Sequence, residues 1–279
     1  MQKYGVDISY TPMVLADTFK NSPIARDKEF QTCQEDTPVV AQFASRNAED
    51  FAAAACLVEP FVDAVDLNCG CPQRWAYQER IGSYMMDCDP QLVFDIIRTA
   101  NRRTNIPVSL KIRVHSEAMR TVQFAQQMEK AGASWIAVHG RTRKEKASDA
   151  VNYETIKLIK ENVNIPVIAN GDIFNLSDVD RIVEQTGVNG VMSARGILRN
   201  PALFAGYAST PIQCVQDYIR NAIEYGTNSF IFHHHLIYMM EDMLTKQEQK
   251  MFNSLSSVGI AGILDHLQTE YGIIPEVDQ

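Results

Sequence analysis

Asn68-Cys69-Gly70-Cys71-Pro72 ends an apolar run at residues 64–67 and places two thiols one residue apart where a strand should finish. The spacing suits neither a disulfide nor a complete metal site. Zinc takes about four ligands, and this pair supplies two with no second close pair elsewhere, so no metal is expected. Cys71, just past the strand end, is placed to act as a nucleophile or as a proton donor. A nucleophile generally needs an adjacent base, for which His139 is a candidate, although His139 suits a cofactor contact equally well. Proton donation needs only a protonated thiol in the right place, and a free thiol has a pKa of about 8.5. Cys69 reads as packing.

Other apolar runs end in the same way. Their last residues are Ala41-Gln42, Leu67-Asn68, Leu110-Lys111, Val138-His139-Gly140, Ala169-Asn170-Gly171-Asp172 and Ser193-Ala194-Arg195-Gly196. Polar residues repeated at the C-terminal ends of strands mark the active-site face of an α/β barrel. The last two segments fall where such barrels often bind phosphate through backbone N–H groups, and Arg195 would add a charge-assisted contact. A phosphorylated cofactor follows. No GxGxxG or P-loop pattern is present, which argues against a dinucleotide on a Rossmann unit.

Positioning these residues takes alternating strands and helices. Strands are predicted at 7–11, 39–44, 64–68, 108–114, 135–139, 167–170 and 190–193. Asp89-Pro90 opens a helix with apolar Leu92, Val93, Ile96, Ile97 and Ala100 at helical spacing. A second helix is expected from Glu117 to Ala131, stopped at Gly132, and a third with a Ser177/Asp180 capping box, closed at Gly187. Repeated βα units give a parallel sheet. The expected fold is therefore α/β, a TIM (β/α)8-type barrel missing its first βα unit, which is expected to lie before Met1. A doubly wound open sheet is the alternative. After Gly206 the alternation stops. Residues 1–206 are read as the catalytic barrel domain and 207–279 as a helical domain.

Bulk composition narrows the partners. The chain has 279 residues, 26 Lys+Arg and 34 Asp+Glu, a formal net charge of −8 that weighs slightly against nucleic acid but leaves local basic patches open. Arg141, Arg143, Lys144 and Lys146 form one such cluster, expected on the rim of the site, and Lys246 and Lys250 another. No signal peptide or membrane span is evident. The six cysteines show no framework spacing, which fits a cytoplasmic or nuclear setting. His233-His234-His235 would point in different directions from a helix and makes a poor metal cage; packing or an RNA contact is preferred.

The motifs "TPMV" (11–14), "VVAQFA" (39–44), "DLNCGCPQRWA" (66–76), "SLKIR" (109–113), "VHGRT" (138–142), "PVIANGDI" (166–173) and "VMSARGILRNPALF" (191–204) resemble the tRNA-dihydrouridine synthase family. The helical segments at 232–244 and 246–257 fit the family's C-terminal tRNA-binding domain. The Cys-Gly-Cys-Pro-Gln-Arg-Trp-Ala string resembles the eukaryotic subfamily acting on D-loop positions 20a and 20b. The resemblance implies FMN as cofactor, NADPH (or NADH) as reductant and tRNA as partner of a monomeric enzyme. It matches the catalytic cysteine to Cys71, and flavin contacts to Gln42, Lys111, His139, Asn170, Gly171, Asp172, Ala194 and Arg195. Asn68, Arg141 and Arg143 are placed toward the substrate. Hydride addition to C6 of a flipped-out uridine and proton donation by Cys71 to C5 are implied.

Two other readings stay open. One is an FMN barrel reducing a free pyrimidine, like a dihydroorotate dehydrogenase. The other is an inactive RNA-binding homologue left by loss of the first βα unit. A barrel lacking its first strand is expected to expose two sheet edges and to purify with little flavin.

Overall fold

The structure is a computed structural model and describes residues 2–273. Those residues divide into two compact units. One comprises 7–171 and 179–192; the other comprises 2–6, 172–178 and 193–273.

The first unit carries the sheet: β1 (Ser9–Tyr10), β2 (Val14–Leu15), β3 (Val39–Ala44), β4 (Ala64–Cys69), β5 (Val108–Arg113), β6 (Ile136–His139), β7 (Val167–Asn170) and β8 (Gly190–Met192). Every pairing is parallel, in the order β1-β3-β4-β5-β6-β7-β8, with β2 also on β3. The seven-position path matches the expected strand number. Among the described residues β8 pairs with β7 alone, so the sheet is open at that end. β1 and β2 are two pieces of one strand. Ser9 faces Val39 but Val14 faces Phe43, a slip of one residue across Thr11-Pro12-Met13. The strand expected at 7–11 is observed as Ser9–Tyr10, and Pro12, with no N–H to give the ladder, separates it from β2.

Period-two alternation sets the two faces of the sheet. Phe43, Val65, Leu67, Cys69, Leu110, Ile112, Ile136 and Val138 fall on one face and are fully or almost fully buried. They pack on helices: Phe43 sits between Phe19 of helix Ala16–Asn21, at 5.1 Å, and Phe51 of helix Ala48–Val58, at 6.3 Å. The opposite, concave face receives Gln42, Asp66, Asn68, Ser109, Lys111, Arg113, His139 and Asn170. The expected helix after Asp89 is Pro90–Arg103, capped by the Asp89 carboxylate accepting the Leu92 N–H. The next is Ala118–Ala131, ending at Gly132. The third, Leu176–Thr186, corrects the expected capping box. Asn175, not Ser177, accepts the Asp178 N–H, and Ser177 donates to the same Asn175 oxygen.

In the second unit, helices Ile212–Glu224, Ser229–Met239, Lys246–Asn253 and Gly259–Tyr271 surround a core containing Phe232, Leu236, Phe252, Ile263 and Leu267. The histidine triplet points three ways: His233 bonds the Phe252 carbonyl at 2.9 Å, His234 stacks on Phe230, and His235 lies against Tyr218. Residues 274–279 of the expected helical domain lie outside the described residues. No helix among the described residues is long and apolar enough to cross a membrane.

Candidate active site

β4 and β5 build the centre of the site. Their register sets Asp66 beside Gln42 on one side and Ser109 on the other, and Asn68 beside Lys111. Side chains then connect across the strands. Ser109 Oγ donates to Asp66 Oδ1 at 2.6 Å, and Gln42 Nε2 donates to Asp66 Oδ2 at 2.9 Å. Asn68 Nδ2 donates to Gln42 Oε1 at 2.8 Å. Asn68 Oδ1 accepts the backbone N–H groups of Gly70 and Cys71, at 3.1 and 2.9 Å. The loop carrying Cys71 is thus tied to the strand it leaves. Arg113 Nε donates to the Gly70 carbonyl at 2.9 Å, and the Cys71 carbonyl accepts Ser83 N–H at 3.1 Å.

The Cys71 side chain is half-buried and rests on a small apolar cluster of Met13, Ala44, Ala76 and Ile81. Gly82 adopts φ +62°, and a Cβ there would lie 2.8 Å from the Cys71 Cβ and carbonyl oxygen. Only glycine gives Cys71 this room. Cys69, two residues earlier, is fully buried on the other face, and burial, then the Asp66 charge, pushes its thiol well above the usual range.

Two charged groups face one another here, Asp66 fully buried and Lys111 half-buried. Burial pushes Asp66 up to about 6, against the hydrogen bonds from Ser109 and Gln42 and the charge of Lys111, which favour the carboxylate. Burial pushes Lys111 down to about 8, with Asp66 pulling it back up, Arg113 pushing it further down and Cys71 pulling it up. Lys111 is therefore a half-buried cation near the Cys71 thiol.

His139 and Asn170 are register partners on β6 and β7. Arg141 Nη1 lies 3.4 Å from His139 Nε2. A guanidinium only donates, so in this contact Nε2 is the acceptor. Arg141 is not on the rim as expected. It is 1% exposed and its Nε donates to the Asp149 carbonyl at 2.6 Å. Buried there, it orients His139. Arg143 is more open; its guanidinium lies 4.0 Å from the Tyr77 ring centroid and 3.7 Å from Asp87. Asn170 Nδ2 donates to the Met192 carbonyl at 2.7 Å. Gly171 has φ +129°, and a Cβ there would meet Val151 at 2.9 Å and His139 at 3.2 Å. The backbone at Gly171 is thus packed against Val151 and His139 too closely for a side chain.

In the second unit, Arg195 Nη2 donates to Asp172 Oδ1 at 2.7 Å, and its guanidinium lies 5.5 Å from the Phe174 ring. Ala194 precedes the helix Arg195–Arg199. Ser193 Oγ donates to the Ile173 carbonyl at 2.8 Å and accepts Ile197 N–H at 3.1 Å.

Sequence reasoning did not single out Asp66, Ser109 or Arg113. The signal was present. In Asp66-Leu67-Asn68 and Ser109-Leu110-Lys111-Ile112-Arg113, period two puts them on the same face as Asn68 and Lys111.

Comparison with known proteins decides the family. A profile described as dihydrouridine synthase (Dus) matches residues 1–258. The chain belongs to the dihydrouridine synthase family. A human protein named tRNA-dihydrouridine(20a/20b) synthase [NAD(P)+]-like is 46% identical over 276 residues, covering 98% of this chain and 86% of that protein. The Schizosaccharomyces pombe tRNA-dihydrouridine(20a/20b) synthase [NAD(P)+] is 39% identical, covering 97% of this chain and 82% of that one. Among solved structures, DHODH from Eimeria tenella in complex with ferulenol shares the fold at a TM-score of 0.50 and 11% identity, over 71% of this chain and 62% of that one. The fold is α/β of the TIM-barrel type, with seven of the eight strand positions present among the described residues, plus further helices.

Proposed function

We propose that the protein reduces uridine to 5,6-dihydrouridine in tRNA, at D-loop positions 20a and 20b, with FMN and NADPH (or NADH), and that Cys71 is its general acid. Family membership over residues 1–258 supports the reaction. The names of the human and fission-yeast relatives support the positions and the nicotinamide reductant. The observation that carries the role of Cys71 is its tether: Asn68 holds the Cys71 N–H at 2.9 Å, in a loop on the face where Lys111 and Arg113 converge.

The residues suit a flavin. Lys111 offers a half-buried cation, and Gln42 and Asn170 each keep a second amide N–H beyond the one bonded above. In the first unit Gln42, Lys111, His139, Asn170 and Gly171 would hold FMN; in the second, Asp172, Ala194 and Arg195 are proposed as its contacts. FMN, when bound and reduced by NADPH, would supply hydride for uracil C6. Cys71 Sγ–H gives its proton to C5 and the thiolate is reprotonated from solvent. Lys111 offsets negative charge on the face it shares with the thiol. Asn68 positions the loop, and Arg141 orients the His139 ring. Arg143 is proposed to meet substrate, although Asp87 and Tyr77 already engage it. Residues 1–206 are proposed as the FMN-binding barrel and 207–279 as the tRNA-binding domain, to which Lys246 and Lys250 bring exposed positive charge. We place the enzyme in the cytoplasm or nucleus, acting as a monomer.

The test is direct. Purified protein, FMN, NADPH and unmodified tRNA transcript are incubated, and nucleosides are quantified by mass spectrometry. Dihydrouridine at 20a or 20b is expected with FMN supplied in the assay. Reduction of a free pyrimidine with untouched tRNA would support the dehydrogenase-like alternative. No flavin and no product would support the inactive homologue.

A further inference from the structure

We infer that Asp66 is a positioning residue that dictates the polarity of an amide relay, Asp66–Gln42–Asn68, and so fixes the acceptor that holds the Cys71 loop. The argument begins with what each group can do. An ionised carboxylate only accepts, whereas the primary amides of Gln42 and Asn68 present an acceptor on one side and donors on the other. Either amide would fill nearly the same space after a half-turn, so shape alone does not orient them. Asp66 does. Its Oδ2 takes Gln42 Nε2 at 2.9 Å, which forces Oε1 toward Asn68. Oε1 then demands a donor, so Asn68 turns Nδ2 to it at 2.8 Å. Oδ1 of Asn68 is left facing the Gly70 and Cys71 N–H groups at 3.1 and 2.9 Å.

Reverse one amide and the chain fails at its far end. With Asn68 turned over, an NH2 would face two backbone N–H groups, donor against donor. Burial sharpens the choice: Asp66 is 0%, Gln42 8% and Asn68 9% exposed, so water has little room to substitute. Ser109 completes the carboxylate's shell at 2.6 Å from Oδ1. The catalytic consequence rests on the role proposed for Cys71; the geometric claim does not.

The experiment therefore reads the thiol and not the reaction. Full-length wild type, Asp66→Ala and Asp66→Ala/Gln42→Glu are alkylated with iodoacetamide, and each cysteine is followed by peptide mass spectrometry. In Asp66→Ala, Gln42 loses its fixed partner and the loop loosens. Cys71 should react about tenfold faster, while buried Cys69 stays protected and reports that the fold holds. In the double variant a new acceptor-only group at position 42 must again take Asn68 Nδ2. The Cys71 rate should return to within about twofold of wild type. An unchanged rate in Asp66→Ala, or a double variant no closer to wild type than the single, overturns the inference. If Asp66→Ala does not fold, side-chain amide exchange in nitrogen-15-labelled wild type decides. Slow exchange of the Gln42 and Asn68 NH2 protons supports the relay, and exchange as fast as in surface amides refutes it. Loss of dihydrouridine synthesis with the relay intact would count against the proposed reaction alone.

Discussion

The two faces of β4 and β5 hold their residues by different means. On the convex face Val65, Leu67, Cys69, Leu110 and Ile112 are each 0% exposed and are held by contact with helices. On the concave face Asp66, Asn68, Ser109, Lys111 and Arg113 alternate with them, and the uncharged and acidic members are held by one another through hydrogen bonds. Cys69 and Cys71 show the difference within three residues. One is packing, with its thiol raised out of the reactive range; the other stands on a tethered loop beside a cation. Stability should therefore reside on the convex face and chemistry on the concave one.

The largest expected break in stability comes from Leu67→Ala. It empties a fully buried site and should cost about 2–5 kcal/mol, read from urea unfolding. A loss below about 1 kcal/mol would mean that the convex face is not the load it is taken to be.

The concave face should show itself through pH. Asp66 has its folded pKa raised to about 6, so the native state holds the extra proton between the usual carboxylate value and 6. Its contribution is fully present below about pH 4 and is lost as pH rises through 6, about 3 kcal/mol in all. Lys111, lowered to about 8, runs the other way: its contribution is lost as pH falls through 8. Tyr10, Cys69 and Ser109 also face Asp66 and stay uncharged across this range. The stability difference between wild type and Asp66→Asn should fall between pH 4 and 6. A flat difference contradicts the burial assigned to Asp66.

Arg195→Ala in the second unit should weaken FMN binding by about 1.5–3 kcal/mol, the scale of a hydrogen bond to a charged group. Flavin titration measures it, and an unchanged dissociation constant removes Arg195 from the cofactor contacts. Cys69→Ser is the smallest change. It buries a hydroxyl where a thiol packs and should cost about 1–3 kcal/mol of stability, with the reaction itself little altered. A large loss of turnover at full stability would blur the two faces.

What the sequence made legible followed from local rules. Apolar runs ending in polar residues located the ends of β6 at His139 and β7 at Asn170, and came within one residue for β4 at Asn68 and β8 at Ser193, because the period of a strand is short and its turn chemistry is local; β3 and β5 run two residues past Gln42 and Lys111. Asp89-Pro90 marked a helix start for the same reason. The second piece, Val14–Leu15, was harder to see, since it pairs with β3 only after a one-residue slip past Pro12. Asn175 displaced Ser177 as a cap because both residue types can serve and only the entry angle of the chain chooses. Asp66 and Ser109 escaped notice because their partners lie across strands: Gln42, Asp66 and Ser109 are 24 and 43 residues apart along the chain, yet adjacent in register. Arg141 looked like one more charge in a basic run, and its burial comes from the Asp149 loop folding over it.

The central claim is that Cys71 supplies the proton. Cys71→Ala should retain flavin and wild-type stability, while dihydrouridine formation in tRNA, quantified by nucleoside mass spectrometry, falls by about 10²–10⁴-fold. Dihydrouridine formation at the wild-type rate in that variant, with flavin bound, would contradict it.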